Sequence, residues 1–173
     1  VTILDRGGRV VRRVADLPLA EDVPVAFDAV PRGPRSLHWR ADAPDTLVWV
    51  EALDDGDPKN PAPEGRDRVF ALTAPFTAPP RALITLEHRY AGVFWGRDDF
   101  AILVSRWWVT RNEKRFAIAP GDPAAAPRLL ADRSYQDRYG DPGTPATVRN
   151  AAGRFVLVFT PDGEAIYLSG EGA

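Results

Sequence analysis

Apolar residues in this chain come in short runs separated by turn-forming residues, and they do not recur at helical spacing. The runs fall at 1–4, 10–14, 37–39, 47–50, 69–72, 83–86, 92–95, 100–104, 116–118, 129–130, 155–159 and 166–168. They are rich in β-branched and aromatic residues and bounded by glycine, proline and aspartate, so the pattern predicts strands throughout. Asp5-Arg6-Gly7-Gly8, Ala151-Ala152-Gly153 and Pro161-Asp162-Gly163 predict hairpin turns, because glycine accepts the positive φ that such turns require. The 14 glycines and 17 prolines agree, since proline at this density suits strand edges and turns and breaks helices.

The strands repeat as a unit. Leu37-His38-Trp39, Leu47-Val48-Trp49-Val50, Arg68-Val69-Phe70-Ala71-Leu72 and Arg81-Ala82-Leu83-Ile84 form one set. Val93-Phe94-Trp95, Ala101-Ile102-Leu103-Val104, Arg115-Phe116-Ala117-Ile118 and Arg128-Leu129-Leu130 form the next. Four strands in roughly 40 to 50 residues is the period of a β-propeller blade. Two strands precede the first set, and three follow the second from Thr147 onward, which gives 13 strands in an open arc with no closed ring. The expected boundaries are 1–33 for the end of one blade, 34–88 and 89–132 for two blades, and 133–173 for an incomplete one. The spacing alone fits a β-sandwich as well. The propeller alignment places Trp39 and Trp95 at equivalent, buried positions, and an arc predicts missing neighbours on both sides.

Composition narrows the function classes. A net charge of −2 argues against nucleic acid, which needs a basic excess. No apolar run approaches a membrane span, and no signal segment opens the chain, which starts at Val1 and reads as an internal cut. With no cysteine there is no thiolate zinc site, and the two histidines, His38 and His88, lie far apart in or beside strands, so no metal and no cofactor is expected. None of Ser36, Ser105, Ser134 or Ser169 has the Gly-x-Ser-x-Gly flanks of a nucleophile elbow. Asp54-Asp55-Gly56-Asp57 lacks calcium-loop spacing and reads as a solvated loop. No catalytic constellation is present. The compartment is left open, with the cytoplasm preferred.

The segments RADAPDTLVWVEALDDGDP (40–58), DRVFALTAPF (67–76), DRSYQDRYGDPGTP (132–145) and AIYLSGEGA (165–173) resemble serine peptidases of the prolyl oligopeptidase family, in the branch described as glutamyl endopeptidase-like. The resemblance covers essentially the whole chain, loops included. It implies the middle and later blades of a propeller that covers the active site of an α/β-hydrolase domain. That domain would follow toward the C-terminus and would carry the Ser, Asp and His triad, so no triad residue falls on any position here. The implied role is a non-catalytic size filter that admits short or unfolded peptides, cleaved after acidic residues, and that removes water on closure. The implied partners are the remaining blades and hydrolase domain of the same polypeptide and a peptide substrate, with no nucleic acid and no membrane; homo-oligomerisation is left open. The alternative is a free-standing β-rich binding or interaction module using Trp39, Trp49 and Trp95.

An acidic side chain in a substrate needs a cation, and arginine meets a carboxylate with two parallel hydrogen bonds. RWWVTRNEKR (106–115) is therefore of interest. Trp107 and Trp108, adjacent on a strand, point to opposite faces and cannot make one stacking platform. Residues 109–113 read as a hairpin, bordered by Arg106, Arg111, Lys114 and Arg115; Arg138 lies in a second arginine-bearing loop, 133–138. These five cations are the candidate rim residues for acidic peptides, against the plainer reading of a solvated basic hairpin.

Overall fold

The computed structural model describes residues 1–17, 19, 21, 23–122 and 124–170. It divides into two compact units, Val1–Arg40 with Pro44–Arg89, and Ala41–Ala43 with Tyr90–Ala173. Both are built of antiparallel strands.

In the first unit, β1 (Thr2–Leu4) and β2 (Val10–Arg13) form a hairpin. Its turn is fixed by Asp5, whose carboxylate accepts from the Gly7 and Arg9 amides at 2.8 and 3.0 Å. The four-stranded sheet that follows takes β3 (Arg35–Trp39), β4 (Thr46–Ala52), β5 (Asp67–Thr73) and β6 (Arg81–Leu86) in sequence order. The continuously apolar run in β4 explains its place: Leu47, Val48, Trp49 and Val50 are all at most 5% exposed, as suits a strand covered on both faces. Leu47, Trp49 and Leu72 centre the core, and Ile3 and Val14, Leu37, Phe70 and Phe76 pack on it. Trp49 stacks on Phe70 across the β4–β5 ladder, with centroids 5.8 Å apart.

The second unit repeats the meander with β7 (Arg89–Arg97), β8 (Phe100–Trp107), β9 (Asn112–Ile118) and β10 (Arg128–Ser134). Ala101, Ile102, Leu103 and Val104 in β8 are buried just as their counterparts in β4 are. Hydrogen-bonded neighbours that are also sequence neighbours, four at a time, make the blade unit of a propeller, and no described sheet closes into a barrel. The fold is all-β, of the partial-propeller class expected from the sequence.

Three details differ from the sequence reading. Residues 144–170 do not form three strands of one sheet. Instead β12 (Thr147–Arg149) pairs with β13 (Phe155–Leu157), Phe159 bridges Ile166, and β11 (Thr144–Pro145) pairs with β14 (Leu168–Ser169). Two residues, one of them a proline, carry no apolar pattern, so β11 left no trace in the sequence. Further, β10 extends to Ser134, past the expected blade end at 132. Finally, Trp95 is 5% exposed but Trp39 is 37% exposed. Trp39 ends an edge strand whose register shifts between Arg35 and His38, where Ser36 has φ 52°, so the two tryptophans are not equivalent. Trp39 instead meets Phe76 edge-on, with centroids 6.0 Å apart.

Trp95→Ala is accordingly expected to cost about 3–5 kcal/mol and Trp39→Ala about 1–2 kcal/mol. Urea midpoints at constant m measure both. Equal losses would restore the equivalence that the structure denies.

Candidate functional site

Strand register assembles a charge cluster at one end of the β7–β10 sheet. Glu113 in β9 lies opposite Arg106 of β8 and opposite Arg133 of β10. Arg115, two residues along the same strand, shares its face. Period and register together thus place three guanidiniums around one carboxylate. Arg106 Nε and Nη2 lie 2.7 and 2.6 Å from Glu113 Oε2. Arg115 Nε donates to Oε1 at 2.8 Å and Arg133 Nη2 at 3.4 Å. Glu113 itself is fully buried.

Asp141 completes the cluster from the following loop, 2.9 Å from Arg133 and 3.6 Å from Arg115. The Gly143 amide does most to hold its carboxyl below the ordinary range; burial opposes it, and the charges of Arg133 and Arg115 add to the lowering. Arg115 also donates to the Gly143 carbonyl at 2.6 Å, and Arg133 to the Ser134 and Asp137 carbonyls at 3.0 Å each. The cluster ties the three strands to the loop at 135–143, which lies within the DRSYQDRYGDPGTP segment.

The five candidate rim cations therefore separate. Arg106 and Arg115 belong to the Glu113 cluster, Arg106 with its side chain 54% exposed and Arg115 with 12%. Lys114 points to the opposite face, 3.6 Å from Asp132. Arg138 lies in the exposed loop after β10. Arg111 sits in the turn at 108–111, its guanidinium carbon 3.6 Å from the centroid of the Trp108 ring. Only Trp107 lies within β8; Trp108 starts the turn and is 40% exposed, and the turn ends at Arg111, so Glu113 belongs to β9 and not to the hairpin.

A second cluster lies in the first unit. Asp54, expected in a solvated loop, is 3% exposed, and Asp67 is fully buried. Arg89 bridges them, with Nη2 2.8 Å from Asp54 and Nη1 3.0 Å from Asp67. Arg66 adds a 2.7 Å contact to Asp54, and Arg35 pairs with Asp67. Gly56 permits this loop path: its φ is 78°, and a Cβ there would fall 2.0 Å from the Val30 carbonyl oxygen. The run Asp54-Asp55-Gly56-Asp57 looked hydrophilic because sequence does not show that an arginine 35 residues away returns to it.

The second unit also has a cavity of about 450 Å³ over β8–β10, lined by Phe100, Ile102, Leu130, Phe159 and Leu168, with Arg97 and Arg128 among its charged residues. No histidine and no serine lines it. Among the described residues no group of three or more His, Asp or Glu side chains gathers where a metal could sit, and no helix is long and apolar enough to cross a membrane. His38 Nδ1 lies 2.8 Å from the Ser36 carbonyl oxygen, a local strand contact.

No family model and no solved structure matches the chain. A protein of Arabidopsis thaliana named probable glutamyl endopeptidase, chloroplastic, is 40% identical over 179 residues, which cover 100% of this chain and 18% of that protein. Its namesake in Oryza sativa subsp. japonica is 41% identical over 152 residues, 87% of this chain and 16% of that protein. The chain thus spans under a fifth of the length of the curated relatives it matches. Both names place those proteins in the chloroplast, so the expectation of a cytoplasmic location has no support.

Proposed function

We propose that this chain, which belongs to the glutamyl endopeptidase-like branch of the prolyl oligopeptidase family, supplies blades of a β-propeller that gates a serine peptidase. The observation that carries the reading is 40% identity along the entire chain to a protein named for that activity. The four-stranded meanders support it, because a propeller of such blades is a rigid cover with a narrow axial passage. In this reading the segment contributes no catalytic group. It restricts access to short or unfolded peptides and excludes water when closed. The alternative, a free-standing module that binds through Trp39, Trp49 and Trp95, loses its surface, since Trp49 and Trp95 are 2% and 5% exposed.

The full-length protein tests the proposal. A short glutamate-containing peptide is expected to be cleaved at least about 100-fold faster than the same sequence held inside a folded host protein, with all turnover stopped by a serine-directed inhibitor. The 173-residue segment alone is expected to leave both intact. Inhibitor-sensitive turnover by the segment alone, or equal cleavage of folded and short substrates by the whole protein, overturns the gating role.

A further inference from the structure

Arg111, in the turn outside the Glu113 cluster, has no acidic partner among the described residues, whereas Arg106, Arg115 and Arg133 in that cluster all have one. Its φ of 57° lies in the left-handed region, a costly conformation for a bulky side chain. Three contacts hold it there. Its amide donates to the Trp108 carbonyl at 3.2 Å, its carbonyl accepts from the Tyr135 amide at 2.8 Å, and Nη1 donates to the Tyr135 hydroxyl at 3.2 Å. The Trp108 ring, 3.6 Å from the guanidinium, fixes its plane. The other guanidinium donors have no protein acceptor among the described residues, although the group is already immobilised. Beside it, Trp108 is 40% and Val109 74% exposed.

An ordered guanidinium with unused donors, next to an exposed indole and valine, fits a carboxylate attached to an apolar neighbour. Binding such a group costs little ordering entropy, because the arginine is already held. The fork favours two parallel hydrogen bonds, which a lysine could not supply. A nucleic acid fits less well, since it needs a row of phosphate contacts and the chain carries a net charge of −2.

We infer that the 108–111 turn is a docking site for acidic peptide segments, with Arg111 receiving a carboxylate and Trp108 and Val109 covering the adjoining side chain. The inference rests on the peptidase reading for its biological context: the site would hold an acidic stretch of substrate away from the bond that is cut. Tyr135 is a positioning residue here, because it acts by holding Arg111.

The test uses the full-length protein, treated with a serine-directed inhibitor, and fluorescence anisotropy of labelled peptides. A Glu-rich peptide, its Gln-rich counterpart and a single-stranded oligonucleotide of equal charge serve as probes. Arg111→Ala is expected to weaken the Glu-rich peptide about tenfold, and Arg111→Lys to recover only part of that loss. Trp108→Ala weakens it severalfold, and the Gln-rich peptide is insensitive to all three. The Glu-rich peptide binding wild type and Arg111→Ala alike overturns the site. Equal loss of the Gln-rich peptide, or an oligonucleotide bound as tightly as the Glu-rich peptide, does so too. A protein that binds the peptide through Arg111 yet, without the inhibitor, cleaves nothing leaves the site standing and removes the peptidase reading instead.

Discussion

Glu113→Ala is expected to lower the stability of the protein by roughly 3–5 kcal/mol, the range for removing one member of a buried charge cluster. Glu113 is fully buried, and its loss strands Arg115 and Arg133, whose side chains are only 12% and 10% exposed. Asp141 remains beside both, but at 42% exposure it is partly screened by water. Arg106, more than half exposed, contributes little to the cost because it can turn to solvent. Glu113→Gln keeps hydrogen-bonding capacity while removing charge, so about half the loss is expected. Urea denaturation reads the effect as a lower midpoint at unchanged m. A double-mutant cycle with Arg115→Ala is expected to return a coupling above ~1 kcal/mol, as for residues in direct contact. A Glu113→Ala protein within about 1 kcal/mol of wild type shows instead that the arginines find water or other acceptors.

The same residues show how far sequence reading reaches. Strand existence was legible because β4 and β8 are apolar on both faces, and a run such as Leu47-Val48-Trp49-Val50 leaves little choice but a buried strand. The four-stranded repeat was legible for the same reason. The Glu113 cluster was not, because it depends on register: only when Glu113 is set opposite both Arg106 and Arg133 do four charges meet. A hairpin boundary misplaced by two residues, at 113 instead of 111, was enough to put Glu113 in solvent. Trp39 was misjudged through a single irregularity in β3, which composition cannot reveal. Arg111 was legible as a candidate cation, whereas its aromatic setting was not, since it needs Tyr135 to return from beyond β10.

Arg89 is expected to carry a large effect in the first unit. It touches Asp54 at 2.8 Å, Asp67 at 3.0 Å and the Asp28 and Arg66 carbonyls at 2.7 and 3.2 Å, so it joins the strand, the 54–66 loop and the segment before β3. Arg89→Ala removes the cation that the two buried aspartates share, and a loss of about 3–5 kcal/mol is expected. The pH dependence gives a second reading of the cluster. Burial pushes the Asp54 carboxyl up, but the hydrogen bonds from Arg89 and Arg66 outweigh it and hold the carboxyl below its ordinary value. The folded state therefore binds the proton more weakly than the unfolded chain, whose aspartates titrate near about 3.9. The stabilisation from Asp54 is complete above that value and is lost as pH falls through the folded one. Wild type is accordingly expected to exceed Asp54→Asn in stability at neutral pH, with the gap closing once the pH drops below about 4. Thermal unfolding of wild type, Arg89→Ala, Asp54→Asn and the double variant from neutral pH to pH 3 measures both effects. A gap between wild type and Asp54→Asn that stays constant down to pH 3 means that Asp54 gains nothing from its arginines. A gap between wild type and Asp54→Asn that closes in acid, but is absent at every pH between Arg89→Ala and the Arg89→Ala/Asp54→Asn double variant, assigns the acid sensitivity of this unit to the Arg89–Asp54 contact.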